Sequence, residues 1–102
     1  MLKYKAVRDK IPLEDNELVS FPDELFLHLM REKLDEEVKE YKNGFNVDEL
    51  VDIIEVCYRI AELQGIHTNL LDSKITDKRL DKGVFASNKV WIKKEDKSTF
   101  YE

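Results

Sequence analysis

Two long stretches of the sequence carry apolar residues at the spacing of an α-helix, and they constrain the fold more than any other feature. Asn43-Gly44 ends the first helix, which begins near Ser20 to Pro22, where Ser20 and Asp23 have the spacing of a helix-capping pair. Its apolar residues recur every three or four positions and so form one face: Leu27, Met30, Leu34, Val38 and Tyr41.

A second helix begins at Asn46, which forms a second capping pair with Glu49, and runs to about Gln64 before Gly65. A third, weaker helix is predicted from about Thr68 to Lys82, with Gly83 as its stop. The second helix has a broad apolar face, which comprises Leu50, Ile53, Val56, Cys57, Ile60 and Ala61.

Both ends of the chain are predicted to be less regular. Pro12 favours an extended conformation for the residues before it, and residues 84–93 are rich in β-branched and aromatic side chains around a predicted turn at Ser87-Asn88. We therefore expect an all-α antiparallel helical bundle, with short extended segments near the N-terminus and at 84–93. A length of 102 residues supports one domain, spanning 1–102.

The composition excludes several classes of protein. A net charge of −5 argues against binding to a nucleic-acid backbone, which requires clustered lysine and arginine. No stretch approaches the about 20 apolar residues of a membrane span, and the first residues lack the apolar core of a signal peptide, so we expect a cytoplasmic protein. Cys57 is the only cysteine and is predicted to be a buried, unreactive thiol. A chain this short has a thin core, which favours a dimer or larger oligomer.

The carboxylates are the most informative residues. On a helical projection centred on Leu34, Glu37 lies about 60° from the centre of the apolar face and Glu40 about 120° away. In the second helix, Glu49 falls within the apolar arc and Asp52 lies at its margin. Two helices packed through these faces would bring about four acids together, which raises their pKa values and is costly unless a cation is bound.

Mg²⁺ prefers oxygen ligands and usually shares them with substrate phosphates, so this pattern predicts a helix-built Mg²⁺ site. The alternative interpretation is structural. Glu-x-x-Glu is common on solvated helices, Glu49 could serve only to cap its helix, and Asp52 and Glu55 could pair with Arg59.

Four motifs occur in an order that resembles a known family. They are Val-Arg-Asp-Lys-Ile-Pro at 7–12, Lys-Leu-x-Glu-Glu-x-x-Glu at 33–40, Glu-Leu-x-Asp-x-x-Glu-Val at 49–56 and Lys-Gly-x-Phe at 82–85. This series is similar to that of the MazG-like and phosphoribosyl-ATP pyrophosphohydrolase-like group of all-α nucleoside triphosphate pyrophosphohydrolases. The resemblance covers roughly residues 5–93.

The resemblance implies a helical dimer or tetramer that hydrolyses a nucleoside triphosphate to the monophosphate and pyrophosphate, with Mg²⁺, or alternatively Mn²⁺, as the cofactor. It implies metal ligation by Glu37, Glu40, Glu49 and Asp52, and Glu37 or Glu40 would position or deprotonate the attacking water. Glu36 is the less certain member of its Glu-Glu pair. This chain departs from the family at Val84, where many members have a second glycine, and its segment 13–20 is shorter.

A triphosphate also requires positive groups. The candidates are Lys78, Arg79 and Lys82 on the third helix, with Arg8 and Lys10 in the first motif as secondary candidates. For each of them a solvated basic surface is the alternative. Two rival functions are a non-catalytic helical nucleotide-binding module and a structural oligomerisation protein, both retaining the fold.

Overall fold

The computed structural model describes residues 3–93, and every regular element among them is helical. Three α-helices follow a short 3-10 helix at Asp15–Glu17: α1 (Asp23–Gly44), α2 (Val47–Leu63) and α3 (Thr68–Lys82). This confirms the all-α prediction. The two ends of the predicted domain 1–102 lie outside the described residues.

Helix α1 begins without the predicted side-chain cap. Pro22 occupies the N-cap position, no side chain caps the helix, and Asp23 is its first residue. The prediction that Ser20 and Asp23 form a capping pair was therefore wrong. At the other end the chain leaves the helix through Phe45, whose left-handed backbone (φ 55°) lets its N–H donate to the Tyr41 carbonyl oxygen at 2.6 Å.

Helices α2 and α3 both have a side-chain cap. The Asn46 side chain accepts a hydrogen bond from the Asp48 N–H at 2.8 Å, which confirms Asn46 as the N-cap of α2. The sequence did not suggest the corresponding role of His67, whose Nδ1 accepts from the Asn69 N–H at 3.2 Å and caps α3. Gly83 follows α3 with φ 79°, a conformation that favours glycine.

The core lies between α1 and α2. Met30 of α1 and Val56 of α2 are buried against Ala6, which brings the N-terminal segment over the helix pair. Leu34 and Ile60 are partly buried around them, as the periodicity predicts. This packing directs the carboxylate-bearing edges of α1 and α2 toward each other.

Helix α3 packs against α2 but not against α1. The contact includes a hydrogen bond from the Tyr58 hydroxyl to Asp72 Oδ1 at 2.6 Å. Cys57 is exposed, so the prediction of a buried thiol was wrong for the single chain. The physical reason is its position about 100° around α2 from Val56, outside the face that α1 covers.

The predicted strand or hairpin at 84–93 does not form. A turn is present at residues 86–87, and Asn88 has the positive φ of a turn residue, but the described chain contains no strand. A two-stranded hairpin needs a hydrophobic surface to pack on. Here Phe85, Val90 and Ile92 are 98%, 84% and 93% exposed. No helix of the described residues is long and apolar enough to cross a membrane.

Candidate metal centre

Glu37 is the most deeply buried carboxylate that the structure describes. It lies on the side of α1 that packs against α2, and the residue is only 4% exposed. Lys33, one turn earlier, approaches Glu37 Oε1 with its Nζ at 3.1 Å. Among the described residues, Oε2 has no hydrogen-bond partner. A buried acceptor of this kind is costly to leave unsatisfied, so Glu37 Oε2 is a candidate to accept a ligand.

Glu37 belongs to two groups of carboxylates. In the first, one oxygen each from Glu37, Glu49 and Asp52 all lie within 4.8 Å of one another. In the second, Glu36, Glu37 and Glu40 meet the same condition. The structure thus brings together all four predicted ligands, with Glu37 at the centre.

The proximity of these acids affects their ionisation. The neighbouring Glu37 carboxyl raises the pKa of Glu49 to about 7, and desolvation and the negative charge of Glu40 add to the shift. Glu49 therefore keeps its proton to a higher pH than an isolated glutamate does.

Glu36, the less certain member of its Glu-Glu pair, also belongs to the cluster. Lys5 of the N-terminal segment reaches it with an Nζ–Oε1 distance of 2.7 Å, and this hydrogen bond lowers the pKa of Glu36. The projection missed Lys5 because it considers one helix at a time. Lys33 was missed as well, although its i, i+4 spacing to Glu37 was a usable signal.

Arg8 is the predicted phosphate-binding residue that the structure brings to the carboxylates. Its Nη2 lies 2.6 Å from Asp52 Oδ1, across 44 residues of sequence. The alternative pairing of Asp52 with Arg59 is not formed, because Arg59 contacts Glu62 at 3.5 Å. Lys10 lies exposed in a turn, and no ion pair within residues 3–93 joins it to the cluster.

The basic residues of α3 lie elsewhere. Lys78, Arg79 and Lys82 line an open groove of about 440 Å³ together with Phe85, and none of the four predicted ligands lines it. Among the described helices α3 packs only on α2, and the groove shares no lining residue with the acidic cluster. Trp91 is 48% exposed and lies outside this groove.

The donor set fits a hard divalent cation. Lys5, Arg8 and Lys33 contact three of the five clustered carboxylates, so the acidic groups of the cluster outnumber its cations. The donors are oxygens, and one of them is buried without a partner. Oxygen ligands of this kind are the ones that Mg²⁺ prefers.

No protein-family model matches the chain, and comparisons with curated proteins and with solved structures find no match either.

Proposed function

We propose that this protein is a Mg²⁺-dependent pyrophosphohydrolase, which converts a nucleoside triphosphate or a related nucleotide to the monophosphate and pyrophosphate, as in nucleotide-pool house-cleaning. The observation that carries the proposal is the unpartnered, buried Oε2 of Glu37 among carboxylates from two helices. The motif series that resembles the MazG-like group supports it independently.

Glu37, Glu40, Glu49 and Asp52 would hold the cation. When bound, Mg²⁺ or Mn²⁺ polarises phosphoryl oxygens and neutralises the charge that develops on the departing pyrophosphate. The four carboxylates would hold the cation at the edge of the α1–α2 interface. Partial exclusion of water there strengthens electrostatic interactions.

Glu40 is the better of the two candidates for activating water. Glu37 is buried and is already engaged by Lys33, whereas Glu40 is exposed at the open edge of the same cluster. A water molecule that transfers its proton to the Glu40 carboxylate would form the new P–O bond. The anhydride between the α- and β-phosphates then breaks, and the pyrophosphate leaves with the electron pair of that bond.

Arg8 would bind a substrate phosphate. Its guanidinium is exposed and its contact with Asp52 is a surface ion pair, so exchange of this partner for a phosphate costs little. Lys78, Arg79 and Lys82 line a groove that suits a second anionic group. Lys10 remains a secondary candidate.

The test is incubation of the purified chain with Mg²⁺ and a panel of nucleoside triphosphates, with products identified by phosphorus NMR. We expect pyrophosphate and the monophosphate, and no release of orthophosphate. Glu37→Gln and Glu49→Gln should abolish turnover, whereas Glu32→Gln, an exposed carboxylate on α1 outside the cluster, should retain it. Full activity in both cluster variants would refute the proposal. Tight nucleotide binding without turnover would indicate the non-catalytic binding module instead.

A further inference from the structure

The N-terminal segment, residues 3–12, places one cationic side chain on each helix of the α1–α2 pair. Lys5 Nζ lies 2.7 Å from Glu36 Oε1 on α1. Three residues further along, Arg8 Nη2 lies 2.6 Å from Asp52 Oδ1 on α2. A single short segment thus supplies counter-ions to carboxylates from both helices.

These two ion pairs are important for how the segment is held. Within residues 3–93, no backbone hydrogen bond joins residues 3–12 to a helix, and Ala6 is the only buried residue of the segment. The side chains of Lys5 and Arg8 are each 61% exposed. Ion pairs as exposed as these contribute little free energy, so another cation can replace either of them at small cost.

Each ion pair draws on a carboxylate group that could also hold a metal ion. Lys5 contacts one group and Arg8 the other, and the groups share one member: they comprise Glu36, Glu37 and Glu40, and Glu37, Glu49 and Asp52. The shared Glu37 has a buried Oε2 without a hydrogen-bond partner among the described residues, which points to a ligand. The hydrogen bond that each cation makes raises its pKa, and the charge of Glu37 raises both pKa values further.

We propose that Lys5 and Arg8 are exchangeable counter-ions of the acidic cluster, which a divalent cation displaces when it binds at Glu37. The divalent cation takes up carboxylate oxygens and its positive charge repels both side chains. Binding of the metal and formation of the two ion pairs therefore oppose each other, and linkage requires that each weakens the other by the same factor. The exchange also frees Arg8 for the substrate phosphate assigned to it above.

This inference rests on the cation site of the proposed function, but it does not rest on catalysis. A chain that binds Mg²⁺ and releases Arg8 without cleaving any nucleotide would support the inference and refute the pyrophosphohydrolase proposal. The two proposals therefore fail separately.

Calorimetric titration of Mg²⁺ into a double variant, Lys5→Gln with Arg8→Gln, tests the competition. We expect its Mg²⁺ affinity to rise roughly tenfold, because the competing side chains are gone. Lys3→Gln with Lys10→Gln is the matched control: it removes two charges from the same segment, and neither residue forms an ion pair within residues 3–93. Its affinity should change by about twofold or less, because exposed charges are screened. Equal affinities of the two double variants would overturn the inference.

Nuclear magnetic relaxation of the wild-type protein tests the release directly and does not depend on the folding of a variant. We expect the order parameter of the Arg8 Nε–H group to fall roughly twofold at saturating Mg²⁺. Arg59, which pairs with Glu62 at 3.5 Å outside the cluster, is the internal control and should not change. An Arg8 side chain that stays equally ordered in the Mg²⁺-bound protein would overturn the inference and leave the cation site standing. A folded wild-type chain that binds no Mg²⁺ would overturn both.

Discussion

One carboxylate oxygen of Glu49 on α2 lies within 4.8 Å of one of Glu37 on α1, and this proximity raises the pKa of Glu49 to about 7. The packing of the two helices thus holds two acids close together, and Glu49 ionises less readily as a result. Both carboxylates lie where α1 meets α2, so the ionisation of Glu49 also affects the stability of the packed helix pair.

The raised pKa predicts a pH-dependent stability without divalent cation. The Glu49 pKa lies above its ordinary value of 4.5, so its protonated form stabilises the folded state. This contribution is complete below pH about 4.5 and is lost as the pH rises to about 7. Urea denaturation in EDTA should therefore show that Glu49→Gln removes a decline in the free energy of unfolding between these pH values. An unchanged profile in Glu49→Gln would contradict the predicted shift.

Removal of the Lys33 ammonium group should destabilise the fold, because the buried Glu37 charge then lacks its counter-ion. Lys33→Gln deletes the 3.1 Å ion pair and leaves Glu37 uncompensated, which should lower the free energy of unfolding by about 2–3 kcal/mol in EDTA. Saturating Mg²⁺ should reduce this loss, because a bound cation would neutralise Glu37 instead. Lys39→Gln, at an exposed position of the same helix, serves as the control. Equal losses with and without Mg²⁺ would argue against a cation beside Glu37.

Arg8→Gln should weaken nucleotide binding more than it lowers the stability of the fold. The ion pair with Asp52 is exposed, so its loss should change the free energy of unfolding by only about 0–1 kcal/mol. If Arg8 binds a phosphate, KM for the nucleotide should rise roughly tenfold while kcat changes less. Steady-state kinetics with Lys10→Gln as the comparison tests this. An unchanged KM in Arg8→Gln would exclude Arg8 from the substrate site.

Substitutions in the groove on α3 should weaken nucleotide binding and leave Mg²⁺ binding unchanged. Lys78→Gln combined with Arg79→Gln alters a surface that none of the predicted ligands lines. We expect Mg²⁺ affinity to be unchanged and nucleotide affinity to fall roughly tenfold, as measured by calorimetry. Unchanged nucleotide affinity would indicate that these side chains form only a solvated basic surface.

The positions of the helices were largely predictable from sequence, because apolar periodicity and the stops at Asn43-Gly44, Gly65 and Gly83 are local signals. The cap at Asn46 was predictable for the same reason. The convergence of the carboxylates also followed from periodicity, since Glu37 and Glu49 lie on faces that must pack together.

What sequence reasoning missed depends on contacts between distant segments. The contacts of Lys5 with Glu36 and of Arg8 with Asp52 require the N-terminal segment to cross the helix pair, which no helical projection contains. Cys57 was assigned to the core because a helix that is apolar on two sides gives no indication of which side its own chain covers. Residues 84–93 have strand-forming side chains, but Phe85, Val90 and Ile92 are exposed and no strand forms within residues 3–93.

Calorimetric titration of Mg²⁺ into the chain, with an α,β-methylene nucleotide that cannot be cleaved, tests the central claim most directly. We predict saturable binding to the wild type and to Glu32→Gln, and binding weakened roughly tenfold or more in Glu37→Gln. Absence of Mg²⁺ binding by the folded wild-type protein, or equal affinity in Glu37→Gln, would contradict the claim that these carboxylates converge to hold a cation.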